Sequence, residues 1–186
     1  MLSPGSRRVN NLSGGSQSPP ANPIARRPTW PLQRDCLAFY GDPRVANWLH
    51  ANTVDVACPW PLHVGAVPVS HILIHKKCAE SLVRVLNAIW DAAGKSLDTI
   101  KKLRYDVYDG SYNLRVMRGG AALSMHAFAC AIDFDAADNP FHSPHHVFQH
   151  DSLIVVKFIE EGWVWGGDWL PGAVDAMHFQ AARVHG

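Results

Sequence analysis

The segment Ser124-Met-His-Ala-Phe-Ala-Cys-Ala-Ile-Asp133 organises this chain. Its His126 and Asp133 are seven positions apart. That separation spans about 23 Å when extended, whereas two side chains that serve one site need their backbones within several Å. The chain must therefore reverse direction between them, and the small residues Ala129 and Cys130 permit such a turn. The residues after the turn alternate like the start of a strand, which carries Asp133 on one face.

A second segment, Asp175-Ala-Met-His178-Phe-Gln, complements the first near the C-terminus. His126, Asp133 and His178 supply three ligands and leave the fourth tetrahedral position to water, as catalytic zinc requires. The three-residue offset lets Asp175 face the same point as His178. Zinc lowers the pKa of its water to about 7, and a neighbouring carboxylate can take the proton. The pattern therefore predicts Zn²⁺ held by these three ligands, with Asp175 as the general base.

The two motifs, Ser-x-His-x6-Asp and the later Asp-x-x-His, resemble those of the zinc D-alanyl-D-alanine carboxypeptidase and L-alanyl-D-glutamate endopeptidase family. The resemblance extends from Trp30 to Gln180. Tyr112-Asn-Leu-Arg and Trp165-Gly-Gly-Asp-Trp are most similar to the phage endolysin branch. The family usually has glycine at the position of Ala129. If that position needs a positive φ, alanine costs about 1 kcal/mol there.

The resemblance implies an α+β fold, similar to Hedgehog and DD-peptidase domains, with helices packed on a mainly antiparallel sheet and zinc at the sheet edge. It implies hydrolysis of the L-alanyl-D-glutamate bond in the peptidoglycan stem peptide. The alternatives are a D-alanyl-D-alanine carboxypeptidase or dipeptidase, a non-catalytic cell-wall-binding module on the same fold, and a zinc-independent structural or tail-associated protein.

The resemblance also assigns roles to residues that contact substrate. Arg115 occupies the place of the arginine that binds a substrate carboxylate or carbonyl oxygen, a task suited to a guanidinium fork. Arg118 is the substitute, and a structural ion pair is the alternative role for Arg115. Ser124 contacts substrate or supports the ligand loop. The tryptophans near the C-terminus form core and groove wall, and Trp165 is the candidate for contact with substrate.

Composition favours a single folded domain. The chain has 186 residues, of which 47% are hydrophobic and 18% charged, enough for one substantial core. We expect a flexible tail over residues 1–29, rich in Ser, Gly, Pro and Arg, and a catalytic domain over residues 30–186. The tail arginines give it either no partner or weak affinity for an anionic polymer.

Charge and hydropathy limit the partners and the location. The formal net charge of +1 gives no general case for binding nucleic acid or an anionic membrane. No apolar run has the length of a membrane span, and the N-terminus lacks the pattern of a secretory signal. We expect a monomer that binds the stem peptide of bacterial peptidoglycan. It would remain in a host cytoplasm until release to the cell wall, like an endolysin, or act as a cytosolic dipeptidase.

A histidine-rich segment is the rival metal site. His142, His145, His146 and His150 include pairs at the four-residue spacing that places two imidazoles on one helical face. Pro144 breaks such a helix, and no Glu lies within the pairs as a His-Glu-x-x-His site requires. A loop with solvated histidines beside the substrate path is the preferred interpretation.

Two further groups have alternative interpretations. Asp133, Asp135 and Asp138 are spaced as in a calcium loop but lack its glycine and distal glutamate. Asp135 would share the strand face of Asp133, as a second acceptor or as the true ligand.

Four cysteines form no Cys-x-x-Cys pair, so we expect buried thiols. A nucleophilic Cys130 would need a paired base. The four cysteines are Cys36, Cys58, Cys78 and Cys130.

Hydrophobic periodicity predicts two long helices, over 77–93 and 151–161. The apolar face of the second comprises Leu153, Ile154, Val156, Phe158 and Ile159. Other predicted elements are a short helix within 31–49 interrupted at 41–43, strands and loops over 54–69, a strand over 70–74, a turn, short strand and glycine-rich loop over 109–120, and a strand over 163–165 followed by a turn at 166–169.

Overall fold

A computed structural model describes residues 28–185, which form an α+β fold, as predicted. The helices are α1 (Cys36–Tyr40), α2 (Trp48–Asn52), α3 (Lys76–Ala92), α4 (Leu97–Lys102) and α5 (Leu153–Glu160). The strands are β1 (Thr53–Val64), β2 (Val67–His75), β3 (Tyr108–Gly110), β4 (Ala131–Phe134), β5 (Val164–Trp165) and β6 (His178–Gln180). Short 3-10 helices cover Gln33–Asp35, Met125–Phe128 and Gly166–Asp168. The predicted tail falls almost entirely on residues 1–27, outside the described part of the chain.

The strands form two antiparallel sheets rather than one. β1 pairs with β2, and the other four strands are arranged in the order β3-β4-β6-β5. Asp133 of β4 is directly paired with His178 of β6. The two strands that carry these residues, β4 and β6, are the inner strands of the sheet, so the predicted position of the metal site at a sheet edge is not shown. The pair lies instead at the end of their shared ladder.

The two long helices supply much of the core. α3 begins and ends one residue before its predicted bounds, and its apolar stripe packs on β1 and α5. α5 is shorter than predicted, and its buried face contains Val155 rather than Ile159, which is 38% exposed. Periodicity located both helices. Most residues of α5 are apolar, however, so the sequence does not define which side of this helix faces inward.

The N-terminal segment is attached to the C-terminal segment. Leu32 forms a parallel bridge with Arg183, and the Tyr40 hydroxyl donates a 2.6 Å hydrogen bond to the carbonyl of Ala181. The predicted interruption of the first helix occurs at Gly41, whose φ of 83° separates α1 from α2. Because of these contacts, Gln33 lies within reach of β6.

Two regions differ from the expectation. The short strand predicted before the glycine-rich loop is mostly absent from the described residues, since β3 ends at Gly110 and only an isolated bridge joins Val116 to Leu123. α4 was not predicted at all. It is only six residues long, and its start is fixed by the Ser96 hydroxyl, which accepts a hydrogen bond from the Thr99 amide.

His75 links the hairpin to α3 and generates a stability prediction. Its Nδ1 accepts a hydrogen bond from the Lys77 amide at the helix start, and its Nε2 lies 3.2 Å from the Tyr40 carbonyl. Burial lowers its pKa from 6.5 to about 4. The unfolded chain therefore binds more protons between these pH values. The free energy of unfolding should therefore be highest above about pH 6.5. It should fall by up to about 3 kcal/mol as the pH drops toward about 4.

The test is urea unfolding at a series of pH values between about 7 and about 4. His75→Asn keeps an acceptor for the Lys77 amide but does not titrate, so its stability should fall less over this range than that of the wild type. His71→Asn, at an exposed position, is the control and should retain the wild-type slope. Identical slopes for His75→Asn and wild type would contradict the assignment.

Candidate metal and catalytic site

Three predicted ligands come together in the structure. The Nε2 of His126 lies 3.1 Å from the Nδ1 of His178 and 3.2 Å from a carboxylate oxygen of Asp133. The Nδ1 of His178 lies 2.9 Å from the other oxygen of Asp133. No other group of three or more His, Cys, Asp or Glu residues within 28–185 has its donor atoms this close together. The structure thus brings the three residues together in a group that could hold a metal ion.

A tight reversal brings His126 to the strands. Ser124 precedes the 3-10 helix, and its hydroxyl accepts a hydrogen bond from the His126 amide. The helix ends at Ala129, whose φ of 49° and ψ of 38° are left-handed, and the chain then enters β4. An alanine in this region costs about 1 kcal/mol or slightly more. The predicted turn is present, at the position where the family usually has glycine.

Both imidazoles are held through their outer nitrogens. The Nδ1 of His126 lies 3.2 Å from the carbonyl oxygen of Ser111, and the Nε2 of His178 lies 3.1 Å from Oε1 of Gln180. Each of these oxygens can only accept, so each outer nitrogen donates and carries a hydrogen. When the imidazoles are neutral, the lone pairs of the inner nitrogens therefore point at one another and at the carboxylate.

This donor set fits a metal ion. Two imidazole lone pairs and a carboxylate facing one point repel each other unless a cation or a proton lies among them. Ligands at about 2.0–2.2 Å from a tetrahedral zinc are about 3.3–3.6 Å apart. The inner atoms, at 2.9–3.2 Å, need to move by only a few tenths of an Å. Nitrogen and oxygen donors of this kind suit zinc, and outer-nitrogen hydrogen bonds are the usual support of ligand histidines.

The electrostatics of the three residues reflect their proximity. Burial alone would raise the pKa of Asp133, but hydrogen bonds from His126 and His178 outweigh it and hold that pKa well below its usual range. Burial would lower the pKa of His178, whereas the hydrogen bond and charge of Asp133 raise it overall. The carboxylate is thus kept ionised, which is the form that binds a metal.

Asp175 lies in the same cavity as the three ligands. The cavity has a volume of about 310 Å³, and Asp175 lines it together with His126 and His178. One oxygen of this carboxyl group, Oδ1, is buried and has no hydrogen-bond partner in the described part of the chain. Burial is the largest cause of its raised pKa. A buried, unpartnered carboxyl beside a candidate metal site is the arrangement expected of a group that handles a proton.

Gly166 permits this position of Asp175. A Cβ atom on Gly166 would lie 2.4 Å from the backbone carbonyl oxygen of Asp175, closer than any real contact. The Asp175 amide donates a 3.0 Å hydrogen bond to the Gly166 carbonyl, and the His178 amide donates one of the same length to the Asp175 carbonyl. The glycine therefore allows the 3-10 helix to pack directly on the turn that precedes β6.

Three of the predicted substrate residues line the cavity: Arg115, Arg118 and Ser124. Within residues 28–185 the guanidinium of Arg115 forms no ion pair, and its only hydrogen bond runs 3.3 Å to the Val116 carbonyl. The alternative role for Arg115 as a structural ion pair therefore has no support. Arg118 is exposed and lies over the ring of Phe141, 5.0 Å from its centroid.

Trp165 does not reach the cavity. It is 2% exposed, and its indole donates a 2.7 Å hydrogen bond to the carbonyl of Ala176. The expectation that Trp165 contacts substrate is therefore not supported by its position, because the ring is part of the core. Trp169 lines the cavity instead, with its ring centroid 5.4 Å from that of His178.

The rival sites do not form. The histidine-rich segment is a loop without a helix, as expected, and His150 pairs with Asp168 at 2.8 Å. Of the four histidines, only His142 lines the cavity. Asp135 does not share a face with Asp133, because a φ of 50° turns it away and its carboxylate forms two hydrogen bonds with Arg104.

The cysteines are free, and three of the four are buried: Cys36, Cys78 and Cys130. Burial raises the pKa of Cys130 well above its ordinary value, so this thiol is neutral. A nucleophilic thiolate is favoured by a nearby cation or metal and by partial exposure. Neither condition holds for Cys130, which agrees with the expected buried thiol.

Two residues beside the site, Gln180 and Trp169, were not predicted from the sequence. Gln180 is two positions after His178, and side chains two apart on a strand share a face, so a signal was present. Trp169 stands in the predicted turn. The other partner of the site, the carbonyl of Ser111, belongs to the backbone, for which the sequence carries no signal.

Comparison with known proteins gives one match. The model of a family described as D-alanyl-D-alanine carboxypeptidase matches residues 118–181, which is less than half of the chain. The matched segment contains His126, Asp133, Asp175 and His178 and so supports a metallopeptidase. Neither the curated proteins nor the solved structures contain a significant match. No helix in the described residues is long and apolar enough to cross a membrane.

The ligand assignment predicts one zinc per chain. His126→Ala and His178→Ala should each lose most of the bound metal, because two remaining ligands hold zinc far more weakly than three. Metal content measured after dialysis against zinc tests this, with circular dichroism to confirm folding. His150→Ala is the matched control and should bind as wild type. Full occupancy in both ligand variants would direct attention to the histidines of the 142–150 loop.

Proposed function

We propose that this protein is a zinc-dependent peptidase that hydrolyses an amide bond in the stem peptide of bacterial peptidoglycan. One observation carries the proposal: a His126, Asp133 and His178 cluster shares a cavity with the unpartnered carboxyl of Asp175. The family match over the same residues supports peptide hydrolysis. Zinc is the preferred ion because two imidazoles and one carboxylate are a donor set of catalytic zinc sites.

The chemistry divides between the ion and the chain. When bound, zinc lowers the pKa of a water molecule and polarises the scissile carbonyl. Asp175 acts as the general base: its carboxylate takes the proton that water loses on attacking the carbonyl carbon. The same carboxyl then returns that proton to the nitrogen of the departing amine. Its lack of another hydrogen-bond partner leaves it free for both transfers.

Substrate is oriented by the residues around the cavity. The guanidinium of Arg115, free of carboxylate partners among the described residues, would bind a substrate carboxylate or the carbonyl oxygen as charge develops on it. Ser124 fixes the start of the helix that carries His126, and its place on the cavity wall also allows contact with substrate. Trp169 offers an aromatic wall next to His178.

An endopeptidase needs space for substrate on both sides of the scissile bond, whereas a carboxypeptidase binds the end of a peptide. A second cavity of about 350 Å³ borders the first and shares Gln33, Met117 and Met125 with it. It provides room for further substrate residues on one side of the metal, which favours an L-alanyl-D-glutamate endopeptidase, similar to phage endolysins. The description of the matched family favours the second candidate, a D-alanyl-D-alanine carboxypeptidase.

A non-catalytic cell-wall-binding module is the third possibility. Such a module needs the fold and the cleft but neither a base nor a free cationic side chain. Asp175 and Arg115 both line the cleft, which supports turnover.

We further propose that the protein acts as a monomer. Release from a host cytoplasm to the wall, as for an endolysin, belongs to the same proposal.

The role of Asp175 is tested by Asp175→Asn. No ligand is removed, so zinc should remain stoichiometric, while turnover should fall by about two to four orders of magnitude, the usual contribution of a positioned acid or base. Zinc content and hydrolysis are measured on the same preparation. Arg115→Ala should weaken substrate capture as well as turnover.

The control for this test is Asp168→Asn, because Asp168 is paired with His150 and does not line the cavity. This variant should keep most activity. Stoichiometric loss of zinc from Asp175→Asn would make Asp175 a ligand. Near-normal activity of Asp175→Asn would transfer the role of base to another carboxylate.

The substrate prediction concerns purified peptidoglycan. Digestion should release free amino groups without new reducing sugars, because an amide bond and not a glycosidic bond is cut. Mass spectrometry of stem peptides then separates the two candidates: cleavage after L-alanine identifies the endopeptidase, and loss of terminal D-alanine identifies the carboxypeptidase. New reducing ends without new amino groups would exclude a peptidase.

A further inference from the structure

Gln180 is a buried polar residue that touches the candidate metal site. It is 0% exposed and lies on β6, two positions after His178 and on the same face. Its Oε1 lies 3.1 Å from the Nε2 of His178 and accepts a 3.3 Å hydrogen bond from Nε2 of Gln33. Its own Nε2 donates a 2.7 Å hydrogen bond to the carbonyl of Ala182.

These contacts define which way the amide points. A rotation that exchanged the oxygen and nitrogen of Gln180 would place its oxygen against the carbonyl of Ala182, where two acceptors would face each other. It would also place its NH₂ group against the donating amide of Gln33. The oxygen therefore faces His178. Since a carbonyl oxygen cannot donate, the Nε2 of His178 must carry a hydrogen.

The consequence concerns the other ring nitrogen. A histidine with its hydrogen on Nε2 offers the lone pair of Nδ1 to a metal, and Nδ1 is the atom that faces Asp133 and His126. We propose that Gln180 is a positioning residue: it makes His178 an Nδ1 ligand and holds the imidazole plane toward the metal. The inference rests on the proposed metal site and extends it to a residue that contributes no ligand.

The other imidazole, that of His126, is supported by a backbone group, which mutation cannot remove. The Nδ1 of His126 faces the backbone carbonyl of Ser111, and a substitution at Ser111 would leave that carbonyl in place. The Ser111 hydroxyl is used elsewhere, between the Tyr108 hydroxyl and the Leu73 carbonyl. Within the described residues, Gln180 is therefore the side chain through which the support of a ligand histidine can be tested.

The test compares zinc affinity by competition with a chelator in the full chain. Gln180→Met is close to isosteric and removes the acceptor, so its zinc dissociation constant should rise about 10- to 100-fold, the usual effect of losing such a partner. Gln180→Glu retains an acceptor for His178, but its second oxygen can donate to the Ala182 carbonyl only when protonated, so it should lose much less affinity than Gln180→Met. Gln33→Met leaves the contact between Gln180 and His178 intact and should also bind like wild type.

A second measurement is independent of affinity. Long-range ¹H–¹⁵N spectra of the histidine rings in the zinc-loaded wild type should show a hydrogen on Nε2 of His178 and none on Nδ1. In Gln180→Met that pattern should be lost or exchange-broadened. A merely structural role for Gln180 would lower stability in this variant without changing the ring pattern or the zinc affinity.

The outcomes separate this inference from the proposed function. A wild type that binds no zinc removes the ground for both. A wild type that binds zinc, together with a Gln180→Met protein of equal affinity and unchanged ring pattern, overturns the role of Gln180 alone. If Gln180→Met does not fold, the wild-type spectrum still decides, because a hydrogen on Nδ1 of His178 in the zinc-loaded protein contradicts the inference.

Discussion

The antiparallel pairing of Asp133 with His178 is the constraint on which the site depends. Directly paired residues on neighbouring strands have Cβ atoms about 4.5–5.5 Å apart, close enough for their side chains to share one ion. A shift of the register by one residue would turn one of the two to the opposite face. The left-handed turn at Ala129 then returns His126 to the same end of the ladder. Ligand geometry is thus a property of the sheet and one turn.

The remainder of the chain holds this arrangement from outside. The N-terminal segment is bonded to the residues that follow β6, which places Gln33 against Gln180. The helix at Gly166 packs on the turn that carries Asp175. The contact between Gln33 and Gln180 joins residues 147 positions apart in the sequence, so this support of the site depends on distant segments of the chain. Bringing three lone-pair donors to within 3.2 Å of one another is unfavourable by itself, and the surrounding contacts offset that cost.

The sequence predicted that His126, Asp133 and His178 come together and where the two long helices lie, and it did so for physical reasons. The seven-residue separation of His126 and Asp133 requires the chain to reverse between them if both are to serve one site, and α3 follows helical periodicity with few exceptions. Other features depend on tertiary contacts that leave no periodic signal. Trp165 and Trp169 are chemically alike, and only the packing of β5 puts one in the core and the other on the cavity wall. Asp135 left its expected face because Arg104 holds it elsewhere.

One metal ion is expected among His126, Asp133 and His178. Anomalous diffraction from zinc-soaked crystals, collected on both sides of the zinc absorption edge, tests it without recourse to activity or variants. We expect one strong peak per chain, within bonding distance of Nε2 of His126, Nδ1 of His178 and a carboxylate oxygen of Asp133, with Asp175 outside the ligand set. A principal peak in the 142–150 loop, or contact of the ion with Nε2 of His178, would contradict it.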